Sequence, residues 1–228
     1  MDLNEVIEKR QSVRAFKSDP VPKALIKEIL EKAVRAPSWA NTQPWEFVIA
    51  GGKTMEELRK ACEQAAMTGT PMAPDIAPPA GFPEPFDTRR RAVGKKMFDV
   101  LGIPREDKEK RMMWGMLGFK FFDAPNAIFI LTDRSFYHQG DNLNAWPLFD
   151  CGLVAQNILL LATDRGLGTI PEIQAVMFPG VLRKMLNIPD SKLILLGIAL
   201  GYPDGDNLAN KIRSEREPVD NIASWHGF

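Results

Sequence analysis

Histidine and cysteine are both scarce, at two residues each in 228. With only His138 and His226, far apart, the chain has too few nitrogen ligands for a zinc centre. It also has little to offer as the base of a Ser-His-Asp triad. Cys62 and Cys151 share no CxxC spacing and read as reduced packing residues, Cys151 in an apolar helical run and Cys62 at a helix end. An excess of either charge is missing too: 29 basic residues balance 29 acidic ones. That argues against nucleic acid or a membrane surface as partner, because such binding draws on surplus basic charge. The start, Met1 to Glu5, lacks a basic stretch followed by an apolar core, and no apolar run reads as long enough to span a bilayer. By elimination the expectation is a cytoplasmic protein. HExxH and GxSxG are absent. Gly52-Lys53-Thr54 resembles the end of a phosphate loop, but the position of its first glycine is Phe47. Gly166-Leu167-Gly168 lacks the third glycine of a dinucleotide fingerprint and follows a helix, so it reads as a helix stop.

What is present is ordinary globular material, 45% apolar and 25% charged. The length fits a single domain, 1–228, with a core large enough to need no staple. A short helix over 3–9 runs into an extended segment, Arg10 to Phe16. Pro22 opens a helix with Leu25, Ile26, Ile29, Leu30, Ala33 and Val34 at helical spacing, ending before Pro37. Trp45–Ala50 reads as a strand, and Thr54 with Glu57 as a capping box for the helix that follows. Six prolines between Met67 and Thr88 mark an irregular excursion, extended by two helical pieces to about residue 122. Ala127–Leu131 is a buried strand, Leu148–Thr163 a strongly apolar helix, and Thr169-Ile170 a short strand. Leu193–Leu200 is apolar on both alternating faces, as a central strand should be. The arm from about 204 is polar until Ile222, Trp225 and Phe228. Helices cover a sheet without strict alternation, so the fold class is α+β.

Three polar clusters carry possible chemistry. In the extended segment, alternation puts Arg10, Ser12 and Arg14 on one face, where two guanidinia around a hydroxyl would grip a phosphate. The plainer reading is an exposed edge with solvated charges. Lys211 and Arg213, flanking Ile212, form a second cationic face or simply a polar tail. The loop Ala36–Trp45, stiffened by Pro37 and Pro44, displays Ser38, Asn41 and Gln43 beside an indole. Such groups suit the edge and face of a ring system, although a packed helix-to-strand connection has the same composition. Asp150 reads as a dipole-favoured residue in the first turn of its helix, or as a polar group reaching a bound ring from that helix.

The runs RQSVRAF, APSWANTQPWEF, GLGTIPEI and KIR, in that order and spacing, resemble the nitroreductase family over essentially the whole chain. The resemblance implies a largely antiparallel central sheet between helices and an intertwined homodimer with FMN at the interface. It implies that Arg10, Ser12 and Arg14, joined by Lys211 and Arg213, hold the flavin phosphate, with Gln11 by the ribityl chain. Pro37, Ser38 and Trp39 would approach the flavin from the other subunit, with Asn41 near it. Pro171, Glu172 and Ile173 would lie against the flavin N5 and O4 edge. The family's Asn and Lys at the pyrimidine edge find no match in the proline-rich stretch.

The implied activity is hydride transfer from NADH or NADPH through flavin N5 to small electron-poor acceptors, nitroaromatics or quinones, by ping-pong turnover. It requires no protein acid or base, and no metal. Trp114, Met116 and Phe119, in a Met and aromatic stripe, are candidates for the substrate pocket; core packing is the plainer reading of such a stripe. Reductive dehalogenation, breakdown of the flavin itself, or a non-catalytic flavin-binding protein are the alternatives on the same scaffold.

Overall fold

A computed structural model describes residues 1–228. Helix α1 (Leu3–Lys9) starts on Asp2, whose carboxylate accepts from the Glu5 N–H at 2.9 Å, one of the free donors every helix start leaves. Helix α2 (Lys23–Ala33) buries Ile26, Ile29 and Ala33, the stripe its spacing announced. Strand β1 (Glu46–Gly51) leads directly into α3 (Gly52–Met67). No side chain caps α3: the helix begins at Gly52, so Thr54 already lies within its first turn and the capping box does not form. Residues 68–85 contain no helix or strand, as six prolines dictate. Helices α4 (Phe86–Val100) and α5 (Lys108–Phe119) follow.

Strand β2 (Asn126–Asp133) is buried along all but its last residue. A one-turn helix α6 (Arg134–Tyr137) and a small hairpin, β3 (His138–Gln139) with β4 (Asn142–Leu143), come next; their polar sequence carried no periodic signal. Helix α7 (Trp146–Asp164) is longer than the sequence indicated and, at 19 residues and mean hydropathy 1.2, is long and apolar enough to cross a membrane by length and composition alone. Here it packs against α2 and the sheet, burying Val154, Ile158 and Ala162 completely. Strand β5 (Gly168–Glu172), α8 (Pro179–Leu186) and β6 (Lys192–Gly201) complete the regular elements.

The sheet order is β1-β2-β6-β5 and every neighbouring pair is antiparallel. Strand β6 is therefore interior, which is why LILLGIAL shows no polar face. An irregularity in its pairing with β2, between Ile130 and Leu131, skips Leu195. One core lies between the sheet and α3, α5 and α8, around Phe121, Phe129 and Leu182; the other lies under α2 and α7.

Beyond β5, the extended segment 11–16 closes the sheet's edge. The Val13 N–H donates to Thr169 O at 2.9 Å, and Lys17 N–H to Tyr202 O at 2.8 Å. Val13 is buried, and it fits because Gly168 opposes it: a Cβ at Gly168 would sit 2.7 Å from Val13 Cγ2. The proline-rich stretch is anchored by Asp75, whose carboxylate accepts from Arg183 (2.9 Å) and from the Ile194 N–H (2.7 Å).

Gly168→Ala should therefore cost about 1–3 kcal/mol by forcing Val13 out of its seat. Gly115→Ala in α5, where nothing lies within 4 Å, should be neutral or stabilising by up to about 1 kcal/mol. Denaturant midpoints of the two variants check the contrast; equal midpoints would mean that Val13 is not confined.

Candidate functional site

Asn210 fixes the extended segment to the region after β6. Its side-chain oxygen accepts from the Arg14 N–H at 2.8 Å and the Ala15 N–H at 3.3 Å. Its amide nitrogen donates to Ala15 O and Asp204 O, both at 2.8 Å. The Asn210 carbonyl in turn accepts from Gln11 Nε2 and from Arg213. Asn210 is buried and fully used, so the two segments have a single relative register.

That register assembles a cavity of about 370 Å³ lined by Arg10, Gln11, Ser12, Arg14, Arg213 and Arg216. None of the four arginines forms an ion pair. Arg14 donates to Ser12 O, Arg213 to Asn210 O and Ile212 O, and Arg216 to Ser214 and to Glu215 O. The one acidic residue on the wall is Glu8. Burial pulls the Arg14 and Arg10 guanidinia below their usual pKa, and for Arg10 the neighbouring Arg216 adds to the effect. Four guanidinia held together without an ion-paired carboxylate make a receptor for a strong anion, and a phosphate monoester dianion suits their paired donors. Arg216 was hidden in the charged run SEREP, and Asn210 preceded KIR without any motif of its own.

Behind this wall lie buried polar atoms with no partner: Gln11 Oε1, Thr169 Oγ1 and both oxygens of Glu172. Glu172, on β5, is 8% exposed. Burial pushes its carboxyl up to about 9, while the charge of Arg14 draws it down. It is a neutral acid near pH 7. Pro171 is half-buried and Ile173 exposed, so the chain reaches the surface just after β5.

The loop after α2 is built under strain. Ala40, Asn41 and Gln43 all have positive φ, 47° to 57°, each costing about 1–2 kcal/mol for a residue with a Cβ. Three hydrogen bonds hold it: Trp39 N–H to Asp150 Oδ2 (3.1 Å), Gln43 N–H to Ser38 Oγ (3.0 Å) and Gln43 Nε2 to Asn41 O (3.2 Å). Asp150 is thus not a first-turn residue. It sits a full turn into α7, is buried, and positions the loop. Trp39 lies 60% exposed against Trp146, ring centroids 5.6 Å apart, and Phe149 extends the aromatic group; Pro37 and Ser38 line the shallow cavity beneath them.

Several expected residues lie elsewhere. Lys211 does not line the arginine cavity; it points away, donating to Gly205 O at 2.6 Å. Trp114 and Phe119 pack against the core, Trp114 on Phe122 and Phe119 on Phe178, while Met116 is half-buried on the same helix. Trp114 and Phe119 thus lean on the core while partly exposed, and Met112 and Met113 of the same stripe face outward.

The model of the Nitroreductase family matches residues 7–202. Nitrobenzene nitroreductase of Ectopseudomonas oleovorans is 31% identical over 98% of this chain and 96% of its own length. The 4-nitrobenzoate reductase of Pseudomonas putida is 30% identical over 100% and 96%. Among solved structures, the FMN and NADPH-dependent nitroreductase NfnB from Sphigopyxis sp. strain HMH superposes with a TM-score of 0.92 at 30% identity, covering 100% of both chains. NfnB from Mycobacterium smegmatis, solved in complex with NADPH, gives 0.89 at 26% identity over 99% and 100%.

The titration of Glu172 yields a prediction for the ligand-free protein. The folded carboxyl keeps its proton to about pH 9, whereas the unfolded one releases it near 4.5. Between those values the native state binds more protons, so this group's contribution is full below 4.5 and declines as pH rises toward about 9. Glu172→Gln keeps a neutral side chain and removes that slope. Unfolding free energy should fall less steeply from pH 5 to 9 for the variant than for the wild type; parallel profiles would mean that Glu172 is ionised in the fold.

Proposed function

The chain belongs to the nitroreductase family and is an FMN-dependent NAD(P)H oxidoreductase acting on small electron-poor acceptors; we propose that nitroaromatics are among these acceptors and that the four-arginine cavity holds the FMN phosphate. The observation that carries the assignment is the set of four guanidinia in one cavity without a carboxylate partner. Arg10, Arg14, Arg213 and Arg216 would bind the phosphate, with the Ser12 hydroxyl as a further donor and Gln11 at the ribityl chain. The end of β5 at Pro171, Glu172 and Ile173 would meet the flavin's N5 edge. When bound, FMN supplies the hydride acceptance and release, so the protein needs no acid–base residue of its own. Glu172, neutral and buried, adds no negative charge beside a site built to hold an anion. The whole chain would act as one domain. Two buried thiols, Cys62 and Cys151, both raised to about 12 by burial, suit a reducing cytoplasm.

The working unit in this proposal is a homodimer. Trp39, Trp146 and Phe149 are all more than half exposed and form one aromatic patch on α7 and the strained loop. Val219, Ile222, Trp225 and Phe228 are exposed along the arm. Contiguous apolar surface of this kind marks an interface. A second copy covering the patch would bring Pro37, Ser38, Trp39 and Asn41 over its partner's flavin and keep water from the ring.

Three measurements test this reading. Flavin released by heat from the purified protein should be FMN, bleached anaerobically by a nicotinamide and restored by a nitroaromatic; a colourless protein after reconstitution would refute it. Arg14→Ala should weaken FMN binding by about 1.5–3 kcal/mol, seen by flavin fluorescence, while thermal unfolding changes little. Wild-type affinity in that variant would remove Arg14 from the phosphate site. Deleting residues 218–228 should weaken dimerisation and FMN binding together in sedimentation and fluorescence, because a ligand held by both subunits couples the two equilibria. A deletion that alters neither identifies the arm as a frayed end.

A further inference from the structure

A second cationic cavity adjoins the four-arginine one. It measures about 380 Å³ and lies between α4 and the arm after Ile212. Val93, Ser214 and Arg216 line both cavities, so a single wall separates them. Two further cations face the second cavity from α4: Arg89, paired with Glu217 at 2.8 Å, and Lys96, paired with Glu215 at 3.0 Å. Both cationic side chains are 42% exposed; the Glu215 carboxylate is 88% exposed and that of Glu217, which also accepts from Asn221, 32%. Exposed pairs of this kind hold weakly. An incoming phosphate dianion can take the place of the two carboxylates on the same cations. Val93, 37% exposed, offers an apolar surface beside them.

The donors NADH and NADPH differ by one group, a phosphate on the 2′ oxygen of the adenosine. An enzyme that distinguishes them needs cations outside the flavin phosphate site but within reach of a dinucleotide lying over the flavin. We propose that the α4–arm cavity takes the 2′-phosphate of NADPH, with Arg89 and Lys96 as the residues that set donor preference. The inference rests on the FMN reading above. It assigns Glu215 and Glu217 a role as well: they occupy the cations when no donor is bound and compete with it when one arrives.

The test is kcat/KM for NADPH and for NADH on the FMN-loaded enzyme, wild type against Arg89→Ala/Lys96→Ala. The wild type should prefer NADPH. The double variant should lose about tenfold to a hundredfold with NADPH, the range expected of lost charge-assisted contacts, and change about twofold or less with NADH. Glu217→Gln should move the other way, raising kcat/KM for NADPH alone. On the wild type, adenosine 2′-monophosphate should inhibit competitively against NADPH more strongly than adenosine 5′-monophosphate. This last arm holds even if the double variant folds poorly. No preference in the wild type, an equal loss with both donors, or equal inhibition by the two nucleotides would overturn the proposal while leaving a flavoenzyme. A wild-type protein without FMN would overturn the functional reading and this proposal with it.

Discussion

The side-chain amide of Asn210 joins two stretches of chain that lie about two hundred residues apart in sequence, and the candidate site depends on that junction. Both of its polar atoms are saturated by backbone groups, three on the segment after α1 and one after β6. A buried amide in that position tolerates no slip, because any shift leaves a donor or acceptor without a partner. The register brings Arg10 and Arg14 from one end of the chain against Arg213 and Arg216 from the other. Gly168 supports the same arrangement from below by leaving room for Val13.

Concentrating four guanidinia has an electrostatic cost, and the surroundings are arranged around it. Arg14, Arg213 and Arg216 donate only to neutral oxygens and Arg10 pairs with no carboxylate, so the repulsion between Arg10 and Arg216 is left uncompensated. The one carboxyl buried nearby, Glu172, is held neutral by desolvation and does not quench the site. Ligand binding and folding would thereby be linked: the free protein holds unfavourable charge that a bound phosphate would relieve. The strained loop at Ala40, Asn41 and Gln43 is a second such reservoir, stabilised through Asp150 and open to a partner surface.

The sequence made the architecture legible because the sheet and its helices are written in apolar periodicity. LILLGIAL could only be an interior strand, and the stripe of α2 appears in the order its spacing requires. The arginines at 10 and 14 were visible through alternation. What stayed hidden belongs to long-range geometry. Asn210 and Asp150 are single polar residues whose partners lie far away in sequence, so no local pattern distinguishes them from cap or loop residues. Arg216 sat in a charged run, and Lys211 was credited with its role because it shared a face with Arg213 on an extended reading. A short turn over Leu208–Lys211 breaks that alternation and sends Lys211 to Gly205. The Met and aromatic stripe of α5 had two meanings because its residues serve both surfaces: Trp114 and Phe119 pack on the core while Met112 and Met113 are exposed.

Everything functional in this account rests on the cavity being a phosphate receptor, not a cluster of surface charge. The direct measurement is the affinity of the flavin-free protein for FMN against riboflavin, which shares the ring and ribityl chain but lacks the phosphate. Four charge-assisted arginine contacts predict that FMN binds at least about a hundredfold more tightly, with the advantage shrinking as salt rises. Equal affinity for the two flavins, or an advantage indifferent to salt, would contradict the account.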